Sequence, residues 1–356
     1  MIGMAPFNQI ELDYVEFAVA DLEAQIAAMS ESLGLIAYAA VRTGDTRSVA
    51  IGRGEISMVL TQAVTEDHEV ASYVQAHGDG VANFGLRVPD AAAAFNEAVS
   101  RGARPVRPPE TVDGIVTAAI MGFGDVVHTF VERQSGVDSE RLPGLAPLAS
   151  PAGGEDLGLR RIDHIAICLE AGHLRSTIDF YEQVLDFATI YSEHIVVGNQ
   201  AMNSQVVAGP SGGPILTLLE PDVTEQAGQL DQFIKDHGGA GVQHIAFSTN
   251  DVVRSVAAMS SRGVDFLQTP GAYYDALAER LELSRHSVPA LRELNILVDE
   301  DHDGQLFQIF CRSAHPRNTF FFEVIERAGA NTFGSGNIKA LYQAVEAERS
   351  KAGAGR

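Results

Sequence analysis

The chain repeats itself, and the repeat restricts the fold more than any single propensity does. The segment 12–19, LDYVEFAV, alternates apolar and polar residues as a strand, and a helix-like stretch follows at 22–33. The segment 162–169, IDHIAICL, opens the second half in the same way, before a helix-like stretch at 174–184. Deeper in each half, VANFGLRVPD at 81–90 and VQHIAFSTND at 242–251 precede helices that end in Arg101-Gly102 and Arg262-Gly263. Glycine at that point suits a helix C-terminal cap. HTFVER at 128–133 and FEVIER at 322–327 close the two halves. The pattern predicts four strand–helix–strands modules, two per half. The expected architecture is α+β: tandem βαβββ modules in two paired-module domains, with cupped mixed sheets and helices outside.

A chain of 356 residues suits two domains. The segment 135–158, SGVDSERLPGLAPLASPAGGEDLG, is rich in Pro, Gly and Ser and holds no sustained period, so it reads as a linker. The expected domains are 1–150 and 151–356. The 25 Lys+Arg against 47 Asp+Glu give a net charge of -22, which argues against a nucleic-acid partner. No apolar run reaches the roughly 18 residues of a membrane span. The opening MIGMAPFNQIELDY lacks a basic region followed by an apolar one, so no signal peptide is expected. The two cysteines, Cys168 and Cys311, suit a reducing compartment, and the chain reads as cytoplasmic.

Aligning the two halves exposes a chemical difference. Position 3 of the opening strand is Tyr14 in one half and His164 in the other. The second strand pair sets Asn83 against His244, and the closing pair sets Thr129 against Glu323. Two imidazoles and a carboxylate form the facial set that holds non-haem Fe(II) and leaves coordination positions open. The spacings match no compact metal motif, so the repeat alignment carries the signal. His194, His286, His302 and His315 have no partner in that alignment. By strand alternation Thr217 shares a face with Leu219, Gln308 with Phe310, and Phe321 with Glu323. The same rule turns Gln243 away from the metal.

Longer motifs carry a family resemblance over nearly the whole chain. GAGVQHIA at 239–246, QLFQIF at 305–310, FFEVIER at 321–327 and GNIKAL at 336–341 resemble the C-terminal motifs of the 4-hydroxyphenylpyruvate dioxygenase family, in the vicinal-oxygen-chelate superfamily. The resemblance implies Fe(II) on His164, His244 and Glu323, and a metal-free N-terminal domain. It places Ser204, Thr217 and Gln308 near the substrate and makes Phe310 and Phe321 walls for its aromatic ring. It implies 4-hydroxyphenylpyruvate and O2 as substrates and leaves a homo-oligomer open. Where the dioxygenases read Pro-Ile/Leu-Asn-Glu-Pro, this chain reads TLLEP at 217–221, with Leu219 in place of Asn. Where their closing helix reads Lys-Ala/Ser-Leu-Phe, this chain has Tyr342 in place of Phe. EHIVVG at 193–198 and AMNS at 201–204 point the same way, toward the 4-hydroxymandelate synthase branch. That branch decarboxylates the same substrate but hydroxylates its benzylic carbon, a step toward hydroxyphenylglycine-containing antibiotics. The alternative is the dioxygenase proper, forming homogentisate. A small-molecule binding protein or an extradiol ring-cleaving enzyme of the superfamily also stays open. Ile338, Leu341, Tyr342 and Val345 form an apolar stripe, which suits docking of a last helix, and the resemblance implies that Tyr342 also reaches the substrate pocket, where it can donate a hydrogen bond that Phe cannot.

Overall fold

Each predicted module forms, and each has the same βαβββ order. The structure is a computed structural model that describes residues 6–334, 336, 337 and 339. The first module is β1 (Glu11–Ala18), α1 (Leu22–Leu33), β2 (Ile36–Arg42), β3 (Thr46–Arg53) and β4 (Ile56–Ala63). Helix α2 (Glu69–His77) leads into β5 (Gly80–Arg87), α3 (Ala91–Ser100), β6 (Pro105–Val112), β7 (Ile115–Met121) and β8 (Val127–Arg133). After β9 (Ala146–Gly153) the third module runs β10 (Leu159–Cys168), α4 (Leu174–Leu185), β11 (Ala188–Val197), β12 (Gln200–Ala208) and β13 (Ile215–Pro221). Helix α5 (Gln229–His237) leads into β14 (Gly241–Thr249) and α6 (Val252–Ser261). The inserted helices α7 (Gly271–Arg280) and α8 (Val288–Glu293) precede β15 (Leu297–Glu300), β16 (Gln305–Phe310) and β17 (Phe321–Ala328).

Two mixed sheets result. One is ordered β6-β7-β8-β5-β1-β4-β3-β2-β9 and the other β11-β12-β13-β10-β14-β17-β16-β15. In each, two modules join along an antiparallel seam, β1 with β5 and β10 with β14. The seams share one register. Tyr14 pairs with Gly85 as His164 pairs with Ala246, and Glu16 pairs with Asn83 as Ala166 pairs with His244. Thr129 pairs with Gly85 as Glu323 pairs with Ala246. The three ligand-for-nonligand exchanges therefore occupy equivalent places in space.

The repeated devices are scaffold. Asp90 and Asp251 cap α3 and α6, accepting from Ala93 N and Arg254 N. Glu132 accepts from Ala91 N and Glu326 from Val252 N at the same two helix starts. Buried Asp13 pairs with Arg133 at 2.8 Å, and buried Asp163 pairs with Arg327 at 2.9 Å. The centres differ. In the first sheet Thr129 Oγ1 donates to Asn83 Oδ1, and Asn83 Nδ2 donates to Glu16, 2.9 Å each. Both ends of that amide are thereby used within the protein. The Tyr14 ring fills the rest, lying so close to Gly85 that a Cβ there would meet it at 2.2 Å. This half closes its centre with hydrogen bonds and a ring instead of metal ligands.

The expected linker needs correction. Its residues 146–153 form β9, which pairs antiparallel with β2 and adds a ninth strand to the first sheet. Pro147 and Pro151 hid it, yet an edge strand tolerates proline because one side of its backbone needs no ladder partner. A boundary at 150 would cut this strand, and the first sheet ends only at Gly153. Tyr342, Ile338, Leu341 and Val345 lie outside the described residues. Among the described residues no helix is long and apolar enough to cross a membrane.

Candidate metal centre

His164 on β10, His244 on β14 and Glu323 on β17 meet where three neighbouring strands turn side chains to one face. One ligand atom from each lies within 4.8 Å of the others, and all three residues are buried. Glu323 Oε2 is 3.5 Å from His164 Nε2 and 3.3 Å from His244 Nε2. Each imidazole is held by the residue before it. His164 Nδ1 bonds Asp163 Oδ1 at 2.9 Å, and His244 Nδ1 bonds Gln243 Oε1 at 3.0 Å. Both partners accept, so each ring keeps its proton on Nδ1 and turns Nε2 toward the centre. Arg327 grips both oxygens of Asp163, which fixes the acceptor itself.

Gln308 Nε2 donates to Glu323 Oε1 at 2.8 Å. One carboxylate oxygen is thus occupied, and Oε2 alone faces the imidazoles. Three single-atom donors on one side leave the opposite positions open. The donor set fits a divalent ion with borderline-hard character, and residues 164, 244 and 323 would hold it. The charges agree. Burial disfavours ionised Glu323, but the two histidines outweigh it and hold its carboxyl down to about 2. Burial also opposes charging of His164, yet Asp163 and Glu323 raise it to about 9. For His244 burial prevails and its pKa is lowered.

Above the ligands lies a cavity of about 280 Å³. Thr217, Leu219, Gln308, Phe310 and Phe321 line it, as alternation predicts. The Phe321 ring stacks on His244 at 5.0 Å, and Phe310 meets the same imidazole edge-on at 6.2 Å. The Thr217 hydroxyl is buried and has no hydrogen-bond partner. Ser204 is buried beside Leu219 in the β12–β13 ladder and is not itself among the residues that line the cavity. Gln308 reaches the metal ligand instead of standing free for substrate. Gln243 is a second correction. Alternation sets the direction of its Cβ, but the side chain is long enough to curl back to its neighbour's ring and to reach the cavity wall. Gln229 from α5 and Phe333 also line the cavity, and Phe333 meets His164 edge-on at 5.4 Å. Neither carries a strand period that would have marked it.

Known proteins share this arrangement of domains. Residues 4–140 match the family described as hydroxyphenylpyruvate dioxygenase, HPPD, N-terminal. Residues 161–309 match the glyoxalase/bleomycin resistance protein/dioxygenase superfamily. The 4-hydroxyphenylpyruvate dioxygenase of Dictyostelium discoideum is 34% identical over 339 residues, covering 89% of this chain and 92% of that protein. The chain belongs to the 4-hydroxyphenylpyruvate dioxygenase family. The member from Pyricularia oryzae is 32% identical, covering 90% of this chain and 85% of its own. Among solved structures, a triple mutant of 4-hydroxymandelate synthase from Streptomyces coelicolor superposes with a TM-score of 0.86. It is 41% identical and covers 97% of this chain and 100% of that one. The family thus includes similar proteins named for two different reactions, and the vicinal-oxygen-chelate fold of this chain is common to both.

Proposed function

We propose that the chain is a 4-hydroxymandelate synthase, converting 4-hydroxyphenylpyruvate and O2 into 4-hydroxymandelate and CO2 with Fe(II) on His164, His244 and Glu323. The observation that carries the choice of product is Leu219. It lines the cavity in a strand position where the dioxygenases resembled by this chain carry Asn. The synthase likeness at 41% identity, against 34% for the first-named dioxygenase, supports the same choice.

When bound, Fe(II) supplies the chelation of the 2-oxo acid and the activation of dioxygen. The protein's part is geometric. Phe310 and Phe321 confine the phenol ring beside His244. Thr217 offers a hydroxyl with unused hydrogen-bonding capacity to the polar end of the substrate. Leu219 offers only methyl groups and packs with Met202 and Phe233, so it anchors no polar atom. A ring released from a polar anchor can present its benzylic carbon, where the dioxygenase presents ring carbon. A displacement of about 1 Å is enough to redirect a reacting pair. Tyr342 and Ser204 remain part of the proposed substrate set, Tyr342 as a hydrogen-bond donor that Phe cannot replace.

Oxygen consumption tests the enzyme reading. Iron-loaded protein should consume O2 only when 4-hydroxyphenylpyruvate is supplied and should leave catechols untouched. Iron binding without any substrate-dependent oxygen uptake would favour a binding protein instead.

A further inference from the structure

The segment that follows β17 meets the metal centre from behind. Gly336 N donates to Asp299 Oδ2 at 3.1 Å, which seats this segment on the end of β15. The next residue, Asn337, is 1 % exposed, and its Nδ2 donates to Gln308 Oε1 at 2.9 Å. Gln308 is 2 % exposed and spends its other end on Glu323. A glutamine amide can point either end at a neighbour. Here the NH2 of Asn337 demands an acceptor, so the carbonyl of Gln308 turns to it and the NH2 turns to the carboxylate. Asn337 Oδ1 also lies 3.4 Å from the Tyr273 hydroxyl on α7, whose proton goes mainly to Val298 O at 2.9 Å. Gly334, at φ +71, closes the remaining side: a Cβ there would lie 2.0 Å from Gln308 Oε1.

We propose that Asn337 is a positioning residue for the metal: it orients Gln308, which holds Glu323 in its one-oxygen binding geometry. This rests on the assignment of His164, His244 and Glu323 as a divalent-metal site. Asn337 thereby acts on Glu323 through Gln308. Without Asn337, Gln308 Oε1 is buried and unpaired, and the amide is held at one end only, by its NH2 on Glu323.

Co(II), which is redox-quiet in air on this timescale and coloured, is the probe. Anaerobic titration of the full chain reads affinity and visible absorption without turnover. Asn337→Leu, close in volume but without donors, should weaken Co(II) binding about tenfold, the size of effect typical for outer partners of a ligand, and should alter the absorption band. Gln308→Ala should do the same, and the double variant should be no worse than Gln308→Ala alone, because the two act in series. If Asn337→Leu does not fold, Asn337→Ala carries the same comparison. Wild-type affinity and spectrum in a folded Asn337 variant would overturn the proposal, as would losses that simply add in the double variant. Absence of Co(II) binding by the wild-type chain would instead overturn the metal assignment.

Discussion

Asp163 and Gln243 do for their neighbouring histidines what no ligand can do for itself: they set which nitrogen is free. The candidate ligand positions were legible because the repeat supplied an internal comparison, and the strand register bears out that alignment at Tyr14/His164, Asn83/His244 and Thr129/Glu323. The supporting residues were not legible, because their roles depend on side-chain reach. Gln243 stands on the wrong face by alternation and still arrives. Glu323→Ala should lower Co(II) affinity by more than the roughly 10–100-fold lost with an outer partner, since it removes a donor outright. Equilibrium dialysis reads this, and near-wild-type affinity would remove Glu323 from the site. Leu219→Asn restores a polar group to the cavity wall and should raise the share of homogentisate in the product. Chromatographic separation of the products checks it, and an unchanged ratio would deprive Leu219 of its selecting role.

Glu132 and Glu326 show how an element can be duplicated and then loaded differently. Each accepts from the first N–H of a helix, but Glu326 also pairs with Arg285 at 2.7 Å and His286 at 2.8 Å. Glu132→Gln keeps an acceptor for Ala91 N and should therefore cost under about 1 kcal/mol, the loss of a negative charge at a helix start. Glu326→Gln should cost roughly 2–3 kcal/mol, because a buried charge-assisted pair is lost as well. Urea unfolding of the two variants compares them, and equal losses would contradict the account. The helices and most strands followed from period and caps, since Asp90, Asp251 and the Arg-Gly endings mark helix limits chemically. Strand β9 escaped because nothing in APLASPAG alternates, and its place depends on the free edge of β2.

The two domains meet through buried rings. His128 Nε2 bonds the Tyr181 hydroxyl at 2.9 Å, and His77 stacks on His237 at 4.4 Å. Burial holds His128 at about 4, and burial together with the neighbouring His77 holds His237 at about 4, against 6.5 for an open imidazole. The folded chain refuses protons that the unfolded chain binds. This contribution to stability is complete above pH 6.5, declines as pH falls, and is lost by about 4. The urea midpoint should fall across that window, before Glu323 begins to lose its charge. His128→Gln, which keeps a polar partner for Tyr181 but cannot titrate, should make the decline shallower, since one of the buried histidines that drive it is gone. An unchanged slope would show that the interface does not carry it. At the scale of the whole molecule the two halves divide the work, for every described residue that lines the cavity belongs to the second half, from His164 to Phe333. The two candidate products are isomers, so a mass does not distinguish them. The direct measurement is the proton NMR spectrum of the product formed from 4-hydroxyphenylpyruvate, O2 and the Fe(II)-loaded chain. Two coupled pairs of equivalent ring protons and a single benzylic proton, the pattern of 4-hydroxymandelate, are predicted. Three ring protons beside an intact methylene, the pattern of homogentisate, would contradict the account.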